Sequence, residues 1–339
     1  MQLLHLVGAT TTRFYYELSA TYHAATVTPA GMRAHVLKVA PDGTLLLRLA
    51  GESGDRQVDL GEVARVAATC DLVVPFMFCP SGMTGWRELF EGILGVPVVG
   101  PPLATTVVST SKLQTKALAR SLGIAVPDGV RVASLEDAPR WRGPCIVKPD
   151  KEDNSIGLSL VRDEAELVPA LELALEHGEA IVEDYIPGRE IRAGVLDADG
   201  EVRMLPLLEY HMTADHPIRV RADKVDVDET GHVTRRSWDV PSLETSCAPD
   251  TAADVAGAIA ALVLKMHAAL GARDYSLYDI RVDERTNEPF LLEACSFWTF
   301  APMSIVSRMV VAEGADLEDV TRAVFEQAAR RISKAPRAA

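Results

Sequence analysis

The chain has 339 residues, 48% of them hydrophobic and 24% charged, with a formal net charge of −14. That length allows two or three cored domains of an ordinary globular protein, no apolar run reaches the length of a membrane span, and the acidity argues against a nucleic-acid partner. Cys70, Cys79, Cys145, Cys247 and Cys295 include no CxxC pair, and the eight histidines show no ligand spacing, which argues against zinc and a disulfide framework.

In chain order, Leu3–Val7 reads as a strand. With no basic leader or cleavage site before it, a cytoplasmic enzyme is expected. Thr11–Tyr22 suits a helix, Leu72–Phe78 a strand buried on both faces, Gly85–Leu94 a helix and Val96–Val99 the next strand. This alternation predicts a parallel sheet in an α/β unit over residues 1–108. Val7-Gly8-Ala9 lacks the glycine spacing of a dinucleotide fingerprint. Residues 109–187 form a second unit, with helices at Ser111–Leu122 and Asp163–Glu176 and short strands around them.

A third unit covers 188–339. Asp197-Ala198-Asp199-Gly200 joins two strands, Ile191–Leu196 and Val202–Leu208, as a hairpin. Residues 213–251 are polar and loop-like, a length that is usually functional or mobile. Val255, Ile259, Leu262, Val263, Met266 and Leu270 fall at helical spacing. Ser276–Val282 and Phe290–Glu293 read as strands and Leu317–Ile332 as a closing helix.

The most informative stretch is Lys148-Pro149-Asp150-Lys151-Glu152-Asp153-Asn154-Ser155-Ile156-Gly157, after the apolar strand Cys145–Pro149. A lysine is rarely buried without a partner, and a triphosphate is a natural one. The small polar loop lets backbone N–H groups approach phosphate closely. Taken with Ser111-Lys112-Leu113, Ile181-Val182-Glu183-Asp184-Tyr185-Ile186, Glu190, Tyr278-Asp279-Ile280-Arg281 and Leu292-Glu293-Ala294-Cys295, the order resembles the ATP-grasp superfamily. Within it, the chain is similar to the D-alanine–D-alanine ligases from His5 to about Glu313.

The resemblance implies an α/β ATP-grasp fold of three domains, with the nucleotide between the central and C-terminal ones. It implies Lys112 and Lys148 as phosphate clamps, with Asn154 and Ser155 in the phosphate loop. It places adenine against Glu183, Asp184, Tyr185 and Ile186, and ribose on Glu190. Asp279 and Glu293 correspond to Mg²⁺ ligands, whose hard oxygens suit that ion. The third metal position, normally asparagine, is Cys295, a poor Mg²⁺ partner. The family's charge-stabilising arginine is replaced by Leu277. Arg281 lies about 13 Å further along the strand and does not simply replace it, which leaves Arg235, Arg236 or Arg308 as sources of that charge; Arg281, Arg308 and Ser304, the last near the amine, are the catalytic candidates.

Two acidic positions of the first-substrate pocket are Tyr15 and Met83, and the serine linking them is Asn154. An uncompensated ammonium there is costly, so an acyl group larger or less charged than D-alanine is expected: an N-blocked amino acid, a peptide or another acid. The resemblance thus implies an ATP- and Mg²⁺-dependent carboxylate–amine ligase acting through an acyl phosphate on a small carboxylic acid and an amine. Its relatives are often homodimers. Leu277 and Cys295 also leave open a nucleotide-binding protein without ligase activity, or a kinase on the same fold.

Overall fold

The computed structural model describes residues 1–227, 233–236 and 243–331, with backbone alone at 225–227 and 233–236. The first sheet uses β1 (Gln2–Gly8), β2 (Arg33–Val39), β3 (Leu45–Arg48), β4 (Arg56–Gln57) and β5 (Leu72–Pro75), with α1 (Arg13–Ala25), α2 (Leu60–Ala67) and α3 (Pro80–Arg87) between and after them. A π-helical stretch, Glu88–Ile93, continues α3. The strand order is β4-β3-β2-β1-β5. Successive residues of β1 feed opposite cores, Leu3 and Val7 one, Leu4 and Leu6 the other, as a strand covered on both faces requires.

The sheet is parallel only across β2, β1 and β5. β3 and β4 return antiparallel, through a turn in which Gly43 takes φ +85°. The predicted strand Val96–Val99 makes a single bridge, Val73 to Val98, because Pro97 has no N–H to extend the ladder.

The second sheet follows α4 (Leu103–Ser109) and α5 (Lys112–Ser121) and comprises β6 (Gly129–Val132), β7 (Cys145–Pro149), β8 (Ser159–Val161) and β9 (Ala180–Asp184), with α6 (Leu167–Leu175) on one face. Its order is β6-β9-β7-β8, antiparallel throughout. Leu167, Leu171 and Ala174 of α6 pack on Val147 and Val182.

The third sheet contains β10 (Gly188–Ala198), β11 (Glu201–Met204) and β12 (Leu208–Tyr210). A separate pair, β13 (Val225–Val227) with β14 (Val233–Arg236), precedes β15 (Thr245–Cys247) and α7 (Ala253–Ala269). β16 (Tyr275–Asp283), β17 (Pro289–Cys295), α8 (Ile305–Ala312) and α9 (Leu317–Ala329) complete the described chain. The order is β15-β12-β10-β16-β17, with β11 also on β10.

Asp199 and Gly200 both take positive φ, +55° and +80°, as the hairpin turn demands. The single strand expected at Val202–Leu208 is two, divided around Pro206. The stretch read as loop, 213–251, contains β13, β14 and β15 in its described parts. The side chains of Arg235 and Arg236, and the predicted helix end at Ile332, lie outside the described residues.

α7 covers one face of the third sheet, with Ile259, Val263 and Met266 against Ile191, Ala193, Val195, Tyr278 and Ile280. By the two-residue alternation of strands, Glu190 and Arg192 of β10 and Leu277, Asp279 and Arg281 of β16 share the other face. That face looks onto the site. Among the described residues no helix is long and apolar enough to cross a membrane.

Candidate active site

Two cavities meet over this face. The smaller, about 70 Å³, lies between the second and third sheets, where β7 and β9 contribute Lys148, Glu183 and Asp184 and β10 and β16 contribute Glu190, Asp279 and Arg281. The larger, about 500 Å³, is lined by Tyr15, Met83, Lys112, Asn154, Arg192, Cys295, Ser304 and Arg308. Asp279, Glu293, Arg219 and Lys224 line both.

The nucleotide-side charges are already paired. Lys148 is 4% exposed, and its Nζ lies 2.8 Å from Glu183 Oε1. Glu183 sits diagonally across from it, because Lys148 pairs with Ile181 in the ladder. The other Glu183 oxygen accepts from Lys116. Burial pushes the Glu183 carboxyl up, but Lys116 and Lys148 overcome this and hold it below the usual range. Burial lowers Lys116 to about 8 despite that carboxylate. For Lys148, Glu183 and Glu293 outweigh burial and raise it.

Two expectations change. Phosphate is not needed to explain the burial of Lys148, since Glu183 is its resident partner. Glu183 is also committed to two ammonium groups, which leaves Asp184, Tyr185 and Ile186 as the open edge of the cavity.

Asp150 ties the end of β7 to the start of α5. Its Oδ2 accepts from Ser111 Oγ and its Oδ1 from Leu113 N, both at 2.8 Å. Ser111 in turn caps α5 through Gln114 N. This lock carries Lys112 inward: it is 7% exposed, bonds the carbonyl of Glu152 and lies 3.6 Å from Glu293 Oε2. In the loop beyond, Asn154 and Ser155 take φ of +55° and +57°. The Asn154 N–H donates to Asp153 Oδ1 at 2.7 Å, so the turn is closed on a carboxylate of its own loop. Asn154 lines the large cavity and Ser155 the small one.

Glu190 is flanked by two guanidinium groups, Arg219 at Oε1 and Arg281 at 3.3 Å from Oε2. Burial raises its carboxyl, and the two arginines bring it below the usual range. Arg281 also donates to the carbonyls of Ile186 and Pro217, at 3.1 Å each, and its guanidinium carbon lies 5.5 Å from the centre of the Tyr185 ring. Arg281 is therefore held in the wall of the small cavity and does not line the large one. It does not supply the charge missing at Leu277.

Arg192, absent from the sequence-based candidates, reaches that place. It pairs with Asp279 across β10 and β16, while Leu277 pairs with Gly194. Arg192 is thus the diagonal neighbour of Leu277, roughly 7–8 Å away by sheet geometry and within the reach of its own side chain. Its Nη2 donates to Asp279 Oδ2 at 2.7 Å, and its Nε lies 2.7 Å from Oδ1. The two contacts together make a close two-point ion pair. Arg219 adds a 3.3 Å contact to Oδ2 and stacks over Tyr210, 3.9 Å from the ring centre.

Glu293 lies opposite Asp279. The ladder slips after Asp279, so that Ile280 pairs with Leu291 and Leu292 is skipped. This bulge breaks strict alternation and lets Leu292 and Glu293, although consecutive, both face the small cavity. Burial pushes the Glu293 carboxyl up, but Lys112, Lys148, Lys224 and Arg192 bring it to about 2.

Two carboxylates on neighbouring strands suit Mg²⁺, which keeps its remaining positions for water and phosphate. No group of three or more His, Cys, Asp or Glu side chains is arranged to hold a metal among the described residues. Cys295 does not fit as a ligand: burial raises its thiol to about 12, so it stays protonated.

Lys224, also missed, follows a one-turn helix at Arg221–Asp223. Burial and its neighbours Arg219 and Arg192 bring it to about 8 against Asp153 and Glu293. The signal for Arg192 was present in Glu190-Ile191-Arg192, two charges alternating with an apolar residue on a buried strand. Nothing local marked Arg219 or Lys224 in a polar segment.

On the far side of the large cavity, Tyr15 Oη donates to Glu152 Oε2 at 2.8 Å, and Met83 lines the wall nearby. Arg308 bonds Thr245 at 2.7 Å. Ser304 caps α8 from outside, with its hydroxyl 2.9 Å from that of Ser307. The expectation that this pocket had lost its acidic groups is corrected, because Glu152 and Asp153 line it from the loop after β7.

Residues 133–326 match the family described as D-ala D-ala ligase C-terminus. The chain is 32% identical over 283 residues to the D-alanine–D-alanine ligase of Mycolicibacterium gilvum (strain PYR-GCK), covering 81% of this chain and 74% of that protein. Its fold matches the D-Ala:D-Ser ligase VanG of Enterococcus faecalis with a TM-score of 0.75 at 19% identity, over 96% of this chain and 98% of that one. It matches the Bacillus anthracis D-alanine–D-alanine ligase complexed with ATP with a TM-score of 0.72 at 17% identity, over 98% of both chains. The chain belongs to the D-alanine–D-alanine ligase family and is an ATP-grasp enzyme, an ATP-dependent ligase that forms carbon–nitrogen bonds.

Proposed function

We propose that this ligase joins a carboxylic acid other than D-alanine to an amine through an acyl phosphate, with Mg²⁺, and that segments 1–108, 109–187 and 188–339 act as its three domains. The observation that carries the reading is the wall shared by the two cavities, Asp279, Glu293, Arg219 and Lys224. It joins the small charge-walled cavity on one side to an aromatic-lined chamber on the other.

In this reading Lys112, Lys148, Lys224 and the loop of Asn154 and Ser155 hold phosphates, Asp184, Tyr185 and Ile186 meet adenine, and Glu190 meets ribose after yielding part of its contact with Arg219. Asp279 and Glu293 hold Mg²⁺, which neutralises phosphate charge when bound. Arg192 faces the acyl carboxylate. Transfer forms a bond from a carboxylate oxygen to the γ-phosphorus and breaks the bond to ADP. The amine nitrogen then bonds the carbonyl carbon, phosphate leaves with the acyl oxygen, and the amine proton passes to phosphate or water. The chain's part is positioning and charge stabilisation in a site that excludes water.

Homodimerisation and a cytoplasmic setting belong to the same reading; light scattering tests the first. The decisive experiment is ADP release over panels of acids and amines, with product masses. A product equal to acid plus amine minus water supports the ligase, and a phosphorylated acid identifies a kinase instead. Efficient formation of D-alanyl-D-alanine would overturn the exclusion of D-alanine.

A further inference from the structure

The large cavity has an acidic end and a basic end, with aromatic rings along its side. At the acidic end Glu152 accepts from Tyr15 Oη at 2.8 Å, and Asp153 lines the same wall. A carboxylate has about four acceptor sites, so Glu152 keeps capacity for another donor. Burial, with Asp153 and Glu152 close by, keeps the Tyr15 phenol protonated, which makes it a fixed donor that orients Glu152.

At the basic end Arg192 lines the cavity beside the wall shared with the small one, paired with Asp279 of that wall. Glu152, Asp153 and Arg192 all line this one cavity. The side wall is apolar. Tyr22 and Phe78 have ring centres 5.3 Å apart, and Phe78 and Phe297 4.1 Å, with Leu18 and Met83 beside them.

We propose that the first substrate is a free α-amino acid with an aromatic or large apolar side chain, its ammonium on Glu152, its carboxylate at Arg192 and its side chain against Tyr22, Phe78 and Phe297. The proposal deepens the ligase reading and rests on it for chemistry. Only one orientation brings the carboxylate to the wall it shares with the phosphate-facing residues. Alanine leaves most of about 500 Å³ unfilled. An N-acylated or des-amino acid leaves the Glu152 carboxylate facing a group that cannot neutralise it, an unfavourable arrangement in a partly desolvated pocket.

Direct binding separates this inference from the ligase reading, because it needs no turnover. Calorimetry on the full chain, with ADP and Mg²⁺ present, would compare both enantiomers of phenylalanine and alanine with 3-phenylpropanoate and N-acetylphenylalanine. One enantiomer of phenylalanine is expected to bind about tenfold or more tighter than the other three kinds of ligand, a ratio ordinary for one well-placed polar or apolar contact.

Glu152→Gln is expected to abolish the advantage over 3-phenylpropanoate while keeping the advantage over alanine, and Phe78→Ala to do the reverse. Tyr15→Phe should shift affinity in the same direction as Glu152→Gln, but less, by freeing Glu152. Equal or tighter binding of alanine, 3-phenylpropanoate or N-acetylphenylalanine overturns the proposal. So does absence of binding by all of them, or an unchanged ratio in Glu152→Gln. Absence of ADP release with every acid–amine pair would instead count against the ligase reading.

Discussion

The two cavities are built from opposite kinds of wall. The smaller is lined by charges that satisfy one another: Lys148 of β7 and Glu183 of β9, backed by Lys116 of α5, and Glu190 of β10 and Arg281 of β16, joined by Arg219 from the segment after β12. The larger has a side of aromatic rings, Tyr22, Phe78 and Phe297, among charges contributed by several elements. A network of mutually paired charges tolerates little change, because removing one member leaves another buried and uncompensated. An apolar wall tolerates substitution at similar volume. Within this chain, divergence from the resemblance is concentrated on the second kind of surface, at Tyr15, Met83, Leu277 and Cys295.

The sharpest test sets Arg192 against Arg281, two arginines on the same sheet face but at different cavities. Arg192→Ala should lower kcat by roughly 10²–10³-fold, the usual cost of losing a charge-stabilising donor, with KM for ATP little changed. Arg281→Ala should act mainly on KM for ATP. Steady-state kinetics over both substrates decides it, and equal effects on both parameters in both variants would erase the distinction between the cavities.

Next, Lys148→Ala should weaken ATP binding by about a hundredfold, in line with ~2–5 kcal/mol for a truncated buried charge partner. The fold should persist because Lys116 still neutralises Glu183. Lys116→Met, which touches neither cavity, should lower the melting temperature more than it alters ATP affinity. Calorimetry and thermal melting read both, and matching losses of affinity would mean the two lysines act as one unit.

A smaller effect is expected at the shared wall. Glu293→Gln should raise the Mg²⁺ concentration needed for half-maximal rate by about tenfold, as typical of losing one hard ligand or its support. It should also lower the metal-free melting temperature, because cations hold this carboxyl down to about 2. The sign follows: a carboxyl lowered on folding stabilises above its ordinary value and loses that contribution as pH falls through about 2. Coincident Mg²⁺ titrations of variant and parent would remove Glu293 from the metal site.

The smallest effect near neutral pH comes from His5 and His23, which hold α1, the helix carrying Tyr15 and Tyr22, against β1. Their nitrogens are 3.1 Å apart. Burial lowers His5 to about 3, helped by His23, and lowers His23 to about 4. Both are neutral when folded and take up protons when unfolded below about 6.5. Stability is therefore present above that value and falls as pH drops toward 4, by roughly 1.4 kcal/mol per pH unit for each histidine. Hydrogen exchange should show α1 loosening in acid before β7 and β9 do. Simultaneous loosening would show that α1 is not held by the histidine pair.

The order of apolar runs, caps and glycines was enough to place most strands and helices, since hydrophobic period and capping are local properties of a chain. It located β7, the hairpin at Asp199–Gly200, α7 and the segments bearing Lys112, Lys148, Glu190, Asp279 and Glu293. It did not find β2 to β4, where short strands alternate with turns and no single run is long. Nor did it reveal who neutralises whom. Lys148 finds Glu183 from another strand, Arg192 reaches past Leu277 only because β10 and β16 are in one register, and Glu152 is fixed in the wall of the large cavity because Tyr15 arrives on α1 beside it. Each of these depends on sheet pairing, on the bulge at Leu292 or on the packing of distant elements, and such relations are set by the whole fold rather than by neighbouring residues.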